Sequence, residues 1–323
     1  MEIKYTIIIP HYNSPDSLSM LLDSIPKVPE IQVVVIDDNS TKELDQIEQV
    51  KQDNTHCEYY TNTTGKQSAG ACRNIGLIHA RGKWVLFADS DDYFIDGFLE
   101  HLEHFYDDPS DVVFFTPTSL NTTTGKESSR HVLYAGLVKN YLKKPSRKNE
   151  INLRYRFGVP WSKMIRRDVI THNHLEFEAV SVSNDIMFST KLGSCMETFQ
   201  VIDRIIYCVT KSTKTLTTTV KESNLDTRVE VLIRRYGFLR NVLSKKDFRK
   251  LEPTSNILLF EALMGFGFRK FVEVFTSFRK NKIKLDVFSY SYFVLAVRVF
   301  KDRIGLYSPQ RKRKTTGDIT KDE

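Results

Sequence analysis

The sequence contains few cysteines, no cysteine pair and no long apolar run. Four cysteines occur, none of them in a CxxC pair: Cys57, Cys72, Cys195 and Cys208. Their spacing fits neither a zinc site nor a disulfide framework. We therefore expect the cysteines to be small buried side chains and the protein to lie in the reducing cytoplasm. No stretch approaches about 18 consecutive apolar residues, so we expect no membrane-spanning helix. The N-terminal MEIKYTIIIP lacks the basic and apolar segments of a secretory signal, which is therefore not expected.

The composition is that of an ordinary soluble globular protein, with 41% hydrophobic and 27% charged residues. The 323 residues suffice for one large domain or for a core domain with an appendage. The net charge of +7 is unevenly distributed, because residues 229–323 contain 21 Lys and Arg against 10 Asp and Glu. Residues 1–228 are mildly acidic, with 26 Lys and Arg against 30 Asp and Glu. The basic C-terminal part indicates an anionic partner such as a membrane surface.

Apolar, β-branched runs alternate with helical patterns along the first part of the chain. The runs predict strands at residues 5–10, 31–36, 84–88 and 112–116. The helical patterns extend from Ser14 or Asp16 to Ile25 and from Ala69 to Ala80. This alternation predicts a doubly wound α/β domain with a mostly parallel sheet flanked by helices.

The character of the sequence changes near residue 225. Residues 120–130 are polar and predict a loop, and after Ser223 long helical patterns rich in Phe, Leu, Arg and Lys begin. We therefore predict an α/β domain at residues 1–225 and a helical region at 226–307. The polar, basic residues 308–323 are expected to be disordered.

Polar side chains follow three of the predicted strands. The clusters are Pro10-His11-Tyr12-Asn13, Asp37-Asp38-Asn39-Ser40 and Asp89-Ser90-Asp91-Asp92. In open α/β sheets, ligands bind beyond the carboxyl ends of the strands. The three clusters therefore predict one site at one edge of the sheet.

The third cluster carries the clearest chemistry. In an extended segment residues i and i+2 face the same side, so Asp89 and Asp91 would present two carboxylates to one cation. Mg²⁺ and Mn²⁺ take carboxylate, phosphate and water oxygens, and a bridging cation would offset the repulsion between the carboxylates. The alternative is an acidic turn that caps the following helix.

Three segments together resemble the family 2 glycosyltransferases, which have the GT-A fold. They are IIIPHYN at residues 7–13, VVVIDDNS at 33–40 and GACRNIGLIHARGKWVLFADSDD at 70–92. The segments follow the family's order and spacing, and the resemblance covers roughly residues 3–215. It implies an enzyme that transfers a sugar from a nucleotide-sugar, here a UDP-sugar, to a hydroxyl of a glycan or lipid-linked glycan.

The resemblance implies a pocket for the donor's base. Tyr12, with Pro10 beside it, corresponds to the residue that stacks on the base. Asp38, with Asp37 nearby, corresponds to the carboxylate that accepts a hydrogen bond from uracil. From the residues alone, Asp37 and Asp38 could instead cap a helix.

The resemblance also implies contacts to the donor's diphosphate. Arg73 of the family's RN pair would neutralise a donor phosphate or hold an aspartate; a surface salt bridge is the alternative. Ser90 falls in the same pocket. Lys211, with Ser212 and Lys214, resembles a basic loop near the diphosphate, although a solvated loop would have the same sequence character.

The resemblance assigns metal ligands to the acidic cluster. Asp89 and Asp91 match the family's DxD motif, with Asp91 as the direct ligand of Mn²⁺ or Mg²⁺. Asp92 would support Asp91 or coordinate in its place.

The acceptor side is implied by two later segments. Trp161 and Lys163 resemble the family's acceptor-side segment, in which an aromatic plane packs against sugar; ordinary core packing is the alternative for Trp161. Asp185 matches the catalytic base at the start of a helix, and helix capping is its alternative. The family often has a Glu-Asp pair here. In this sequence Asn184 replaces the Glu, so the first position of the pair has no carboxylate.

Taken as a whole, the resemblance implies an inverting hexosyl- or N-acetylhexosaminyl-transferase of polysaccharide biosynthesis. An inactive glycan-binding or scaffold relative is the alternative from a different class. A sugar nucleotidyltransferase would carry a Gly-rich loop where PHYN stands, and a dinucleotide oxidoreductase would carry GxGxxG. No nucleic-acid-binding motif accompanies the basic charge.

The basic region from Phe266 to Tyr307 interleaves aromatic residues with Lys and Arg. It predicts either an amphipathic helix pair on the anionic cytoplasmic face of the inner membrane or a helical subdomain packed on the core. The first alternative would suit a cytoplasmic, peripheral enzyme with a lipid-linked acceptor.

Overall fold

The computed structural model describes residues 2–211, 221–251 and 256–285. The strands are β1 (Tyr5–His11), β2 (Ile31–Asp37), β3 (Glu58–Thr61), β4 (Trp84–Phe87), β5 (Tyr93–Phe94), β6 (Val112–Asn121), β7 (Lys126–Glu127), β8 (Lys163–Arg166) and β9 (Phe199–Lys211). The helices are α1 (Pro15–Asp23), α2 (Leu44–Asp53), α3 (Ala69–His79), α4 (Phe98–Glu103), α5 (Val132–Lys143), α6 (Arg147–Arg156), α7 (Arg167–His172), α8 (Asn184–Cys195), α9 (Glu222–Val242), α10 (Lys245–Leu251), α11 (Asn256–Phe266) and α12 (Phe268–Lys280).

These strands form one mixed sheet in the order β3-β2-β1-β4-β8-β6-β9-β5, with β7 paired to the end of β6. β1 pairs in parallel with both β2 and β4, and β2 pairs in parallel with β3. β8 runs antiparallel between β4 and β6. Because β2, β1 and β4 are parallel neighbours, their carboxyl ends meet at one edge, as the sequence predicted.

Both faces of the central strands are covered. Ile7 and Ile9 pack into one apolar core with α1, whereas Ile8 packs into a second core on the opposite face with α3. A fully buried Ile or Val side chain stabilises the fold by about 1.5–3 kcal/mol relative to an exposed one. Burial on both faces explains why these strands are continuous apolar runs.

The four predicted strands and the two predicted helices are confirmed, with α1 ending at Asp23 and α3 at His79. The predicted loop at residues 120–130 is partly wrong, because β6 continues to Asn121 and pairs with β7. A tight turn makes this hairpin possible, and Gly125 adopts a left-handed φ of 63° there. The four cysteines are free; Cys57, Cys72 and Cys208 are buried as expected, whereas Cys195 is only partly buried.

The C-terminal helices form a subdomain of their own. Their apolar core contains Leu225, Val229, Tyr236, Leu259, Ala262, Val274, Phe278 and Ile283. A smaller cluster, Ile151, Tyr155, Leu239 and Leu251, joins this subdomain to α6. The packing favours the helical-subdomain alternative for residues up to 285. Residues 286–323, with the predicted tail at 308–323, lie outside the described residues.

No helix within the described ranges combines the length and the apolar character that a bilayer crossing requires.

Candidate active site

The three polar clusters converge as the strand order requires. His11 on β1 lies beside Asp37 on β2, and Ile8 on β1 lies beside Phe87 on β4, just before the acidic cluster. Pro10 is buried within β1, whereas the Tyr12 side chain is 41% exposed just beyond it. An exposed aromatic ring at the carboxyl edge of the sheet can stack on a planar ligand.

Asp37 fixes the loop that follows β2. Its carboxylate accepts hydrogen bonds from the Ser40 backbone N–H at 2.9 Å and from His11 Nδ1 at 3.1 Å. Because the Ser14 N–H donates to His11 Nε2, the proton of the neutral ring lies on Nδ1. Burial raises the pKa of Asp37, but the His11 and Ser40 hydrogen bonds outweigh it and leave the pKa lowered. Asp37 therefore supports the pocket as an ionised carboxylate.

Asp38 lies deeper and is 6% exposed. Its backbone N–H donates to the His11 carbonyl at 2.8 Å, and its Oδ1 accepts a hydrogen bond from Asn62 Nδ2 at 2.5 Å. The neighbouring loops are tied together by Asn13, whose side-chain oxygen accepts from the Thr41 N–H at 2.8 Å. The carboxylate of Asp38 is therefore held in a fixed orientation between the ends of β1 and β3.

Arg73 on α3 connects two parts of the site. Its guanidinium forms a salt bridge with Asp89 and donates to the side-chain oxygen of Asn184 at 2.7 Å. Arg73 is 4% exposed, so both contacts are made in a largely desolvated environment. Of the two roles that the sequence suggested for Arg73, the structure places it in contact with an aspartate.

Neighbouring residues of α3 hold the segment that leads to Asn184. The Asn74 side chain donates to the Phe177 carbonyl at 2.9 Å and accepts from its N–H at 2.8 Å. A Cβ atom at Gly70 would lie 2.3 Å from the Glu178 carbonyl oxygen and 2.9 Å from Asn184 Cβ. The backbone of α3 therefore approaches the segment at Glu178 closely at Gly70.

The acidic cluster is a turn. The Asp92 N–H donates to the Asp89 carbonyl at 3.0 Å, which closes the turn after β4. The predicted extended backbone of this segment is therefore wrong, because the chain turns at Ser90, which is partly exposed. Burial and the charge of Asp89 raise the pKa of Asp91.

Asp92 points into the protein. It is 1% exposed, and its two oxygens accept from the Tyr207 hydroxyl at 3.0 Å and from the Thr210 N–H at 2.7 Å. Tyr207 also accepts a 2.8 Å hydrogen bond from the Asp89 N–H. Both Asp92 oxygens are thus occupied by internal partners, which suits support of the turn rather than direct coordination.

The residues of the turn fit a partial metal site. No group of three or more His, Cys, Asp or Glu within the described residues could hold a metal ion by itself. Mg²⁺ is commonly bound by one or two carboxylates together with substrate phosphates and water. Asp91 suits that arrangement, because no described side chain donates a hydrogen bond to its carboxylate and its crowding by Asp89 favours a nearby cation.

Asp185 lies in the first turn of α8, directly after Asn184. Burial raises the pKa of Asp185 to about 6; the charge of Arg73 opposes this rise and that of Asp89 adds to it. A carboxyl group with this pKa is ionised at neutral pH and still takes up a proton readily. Asp185 is therefore a candidate for a group that accepts a proton.

The acceptor-side residues lie deeper than the sequence predicted. Trp161 is 4% exposed, and its ring stacks on Tyr207 with 5.9 Å between centroids. The expected open aromatic plane is therefore absent at Trp161, because the ring is part of the core. Tyr134 on α5 is partly exposed, meets Trp161 edge-on at 5.0 Å, and has a pKa raised by burial and by Asp185.

Lys163 is also buried, with 2% of its surface exposed. Its ammonium donates to the Phe157 carbonyl at 2.8 Å and lies 4.9 Å from the centroid of the Phe157 ring. Burial lowers the pKa of Lys163 to about 7, and the charge of Asp185 opposes this effect. The structure thus places Lys163 where its charge acts on Asp185, not on an open acceptor surface.

Arg130 is a site residue that the sequence did not reveal. Its guanidinium donates to the Thr210 carbonyl, and the Thr210 hydroxyl donates to the Asp91 carbonyl. Arg130 reaches this position because β6 and β7 form a hairpin, which the polar sequence did not indicate.

Lys211 is the last residue of β9, and its carbonyl accepts a hydrogen bond from the Thr122 N–H at 3.1 Å. Ser212 and Lys214 lie outside the described residues.

The family model of glycosyl transferase family 2 matches residues 6–172, which is more than half of the chain. The chain belongs to glycosyl transferase family 2. The matched region contains the three strand ends and Lys163, whereas Asp185 and α9 follow it.

Two curated relatives illustrate the similarity. Poly(ribitol-phosphate) β-N-acetylglucosaminyltransferase TarS of Staphylococcus aureus is 28% identical over 217 residues, which cover 65% of this chain and 36% of TarS. GalNAc(5)-diNAcBac-PP-undecaprenol β-1,3-glucosyltransferase of Campylobacter jejuni is 30% identical over 102 residues, covering 31% of this chain and 33% of that protein. The matches thus span about a third of the length of these relatives.

Solved structures share the fold. The crystal structure of Staphylococcus aureus TarS 1–349 in complex with UDP-GlcNAc matches with a TM-score of 0.60 and 24% identity, covering 93% of this chain and 81% of that chain. The mannosyltransferase PcManGT from Pyrobaculum calidifontis, in complex with GDP-Man and Mn²⁺, matches with a TM-score of 0.51 and 13% identity, covering 95% and 84%. These matches confirm the predicted GT-A fold.

Proposed function

We propose that this protein is an inverting glycosyltransferase that uses a UDP-sugar and a metal ion, with Asp185 as its catalytic base. The observation that carries the proposal is the position of Asp185 beside the donor-side turn. Arg73 contacts both Asp89 of that turn and Asn184, which precedes Asp185. A base is thereby held next to the predicted metal ligands, as a displacement at a sugar carbon requires.

The reaction is a single displacement. The acceptor hydroxyl oxygen bonds to the anomeric carbon while the bond from that carbon to the diphosphate oxygen breaks. The departing nucleoside diphosphate keeps the electron pair, and the hydroxyl proton passes to the Asp185 carboxylate. Attack from the face opposite the leaving group inverts the configuration, so that an α-linked donor gives a β-linked product. The β linkages in the names of the two relatives support this outcome.

The leaving group departs as an anion and needs positive charge. A divalent cation bound at Asp91, with Asp92 supporting the turn, would act as a Lewis acid toward the diphosphate. Arg73 pairs with Asp89 and orients its carboxylate, and Arg130 adds a fixed positive charge beside the turn. Pro10, Ser90 and Lys211 complete the predicted donor pocket.

A UDP-sugar is the donor that the pocket favours. Tyr12 offers an exposed ring, and Asp38 offers a fixed carboxylate that can accept the N–H of uracil. The complex of TarS with UDP-GlcNAc supports this choice. The names of the two relatives contain a polyol phosphate and a diphosphate-linked lipid, so we propose a phosphate-bearing or lipid-linked glycan as acceptor.

A donor screen tests this function. UDP-, GDP- and dTDP-sugars are incubated with the protein, Mn²⁺ or Mg²⁺ and a lipid-linked or polyol-phosphate acceptor, and nucleotide release is measured. We expect acceptor-dependent release from a UDP-sugar and a β-linked product by NMR. Release from GDP-sugars alone would contradict the donor assignment, and binding of glycan without release from any donor would favour the inactive relative.

The helical subdomain also presents a surface suited to a membrane. At the corner between α11 and α12, Met264 is 54% exposed, Phe268 71% and Val272 43%. Arg279 follows on the same stripe of α12, because it lies seven residues after Val272. An apolar stripe with adjacent cations suits an anionic lipid surface, which would place the enzyme at the cytoplasmic face of the membrane.

Vesicle flotation tests this surface. The full chain should float with vesicles of phosphatidylcholine and phosphatidylglycerol and not with phosphatidylcholine alone. Phe268→Asp combined with Val272→Asp should abolish flotation. Ile78→Asp, at an isolated exposed apolar residue of α3, is the matched control and should float normally. Absence of flotation by the wild type would contradict the proposal.

A further inference from the structure

Helix α9 contacts the helix that carries the proposed base. Arg235 of α9 donates from Nε to the Thr190 hydroxyl oxygen of α8 at 3.2 Å, and from Nη2 to the Tyr155 carbonyl of α6. The Thr190 hydroxyl in turn donates to the Ile186 carbonyl at 2.7 Å. Ile186 directly follows Asp185, so a chain of hydrogen bonds runs from α9 to the first turn of α8.

This chain is largely shielded from water. Thr190 is 1% exposed, and its hydroxyl has a donor on one side and an acceptor on the other. A buried hydroxyl that serves as donor and acceptor at once fixes both neighbours, because losing either bond would leave a polar group unsatisfied. Thr190 thus transmits the position of α9 to the backbone beside Asp185.

A second contact from α9 holds the segment before Asp185. The Arg234 guanidinium contacts both carboxylate oxygens of Glu178, at 2.9 and 3.1 Å. The Glu178 N–H donates to the Asn184 carbonyl at 3.2 Å. On its other side, this segment packs against Gly70 of α3. The segment that leads to Asp185 is therefore held between α3 and α9.

We propose that α9 belongs to the catalytic machinery, with Arg235 acting through Thr190, and Arg234 through Glu178, to position the Asp185 carboxylate. The proposal rests on the function proposed above, because it requires Asp185 to be the base. Arg234, Arg235 and Thr190 are positioning residues. They should affect turnover while leaving the donor pocket at the ends of β1 and β2 intact.

The Thr190 hydroxyl provides the sharpest test. Thr190→Val keeps the shape of the side chain and removes both hydrogen bonds, whereas Thr190→Ser keeps the hydroxyl. We expect Thr190→Val to lower kcat by about 10- to 100-fold, because small displacements of a catalytic group have costs of this size. KM for the UDP-sugar should stay unchanged, and Thr190→Ser should restore kcat. An unchanged kcat in Thr190→Val would overturn the proposal.

Variants of Arg235 test the same chain of hydrogen bonds at its end on α9. Arg235→Met should reproduce the loss of kcat at constant KM. Arg240→Met is the matched control on the same helix, because the described contacts of Arg240 are with the Lys282 carbonyl and the Tyr236 ring and not with α8. Circular dichroism establishes that each variant is folded. Equal losses of kcat in both variants would overturn a specific role for Arg235.

A double-mutant cycle separates this proposal from the function on which it rests. If Thr190 acts through Asp185, then Thr190→Val should cause no further loss in an Asp185→Asn background. An additive loss would overturn the positioning role alone. Near wild-type turnover of Asp185→Asn by itself would overturn the base, and with it the premise of the positioning role.

Discussion

Arg73 donates a 2.7 Å hydrogen bond to the side-chain oxygen of Asn184. The other arm of the same guanidinium contacts Asp89. The turn that carries the predicted metal ligands and the helix that carries Asp185 are thus linked through one side chain. The replacement of the family's frequent Glu by Asn184 keeps an oxygen that accepts from Arg73 and removes a negative charge beside the base.

The link through Arg73 predicts a large effect of its removal. Arg73→Met would leave the partly buried carboxylate of Asp89 without its cation and the Asn184 oxygen without its donor. A hydrogen bond to a charged group contributes about 1.5–3 kcal/mol, so we expect kcat/KM to fall by at least about tenfold. Steady-state kinetics with varied UDP-sugar measure this loss.

Arg81→Met is the matched control for Arg73. Arg81 forms a similar salt bridge with Glu58, but its side chain is 54% exposed. An exposed ion pair contributes little to stability, so this variant should keep the wild-type kcat/KM. Equal losses in Arg73→Met and Arg81→Met would contradict a specific role for Arg73.

A methyl group at Gly70 should displace the segment before Asp185. The added Cβ would overlap the Glu178 carbonyl oxygen at 2.3 Å, and this neighbour is backbone that cannot rotate away. We expect Gly70→Ala to destabilise the protein by about 1–3 kcal/mol and to lower turnover. Thermal unfolding and kinetics measure the two effects.

Gly136→Ala is the corresponding control in the middle of α5. No atom lies within 4 Å of a Cβ there, so alanine should raise stability by up to about 1 kcal/mol through its higher helix propensity. Were Gly70→Ala to behave like Gly136→Ala, the close contact between α3 and the segment at Glu178 would be refuted.

The fold could be predicted from the sequence further than the site could. Burial on both faces makes β1 and β2 continuous apolar runs, and the polar residues after them mark the edge where they end. By contrast, the turn from Asp89 to Asp92 depends on Tyr207 and Thr210, which are more than a hundred residues away in sequence. Local alternation alone therefore predicted the wrong backbone conformation for the segment that carries the two carboxylates.

The acceptor side shows the same limit. The resemblance to the family's acceptor-side segment predicts Trp161 and Lys163 as acceptor contacts, but stacking on Tyr207 and the hydrogen bond to Phe157 draw both inward. Arg130 and Arg235 gave no local signal, because a hairpin brings the first to the site and a helix outside the matched family region brings the second. Tertiary contacts decide the roles of these four residues.

The environment of Asp185 predicts the pH dependence of turnover. Burial raises the pKa of Asp185 to about 6, and a base is active only when it is deprotonated. Turnover should therefore be constant above this pH and fall as the pH drops through about 6. The pH profile of kcat measures this acidic limb, the range of pH in which kcat falls.

Lys163→Met should move the same limb to higher pH. The charges that face Asp185 are those of Arg73, Asp89 and Lys163. Removing the cation at Lys163 disfavours the ionised carboxylate and so raises the pKa of Asp185. An acidic limb that stays at the wild-type pH in Lys163→Met would show that Lys163 does not act on the base.

Removal of metal should abolish turnover. Asp91 is the carboxylate available to a cation, so excess chelator should stop transfer, and Mn²⁺ or Mg²⁺ should restore it. Asp91→Asn should lose metal-dependent donor binding, whereas Asp96→Asn, at an exposed carboxylate a few residues later, should behave as wild type. Full activity in excess chelator would exclude the metal.

The most direct test of the central claim compares donor binding and turnover in Asp185→Asn. A base acts on the acceptor, so the affinity for UDP, measured by calorimetry, should stay within about twofold of wild type. By contrast, kcat with a verified acceptor should fall by about 10²–10⁴-fold, the usual contribution of a positioned base. Asn184→Ala should lower kcat far less than Asp185→Asn does. Glu176 and Glu178 are the carboxylates of the same segment that could replace Asp185; Glu176 is exposed, and Glu178 is paired with Arg234. Near wild-type turnover of Asp185→Asn with unchanged UDP affinity would contradict the account.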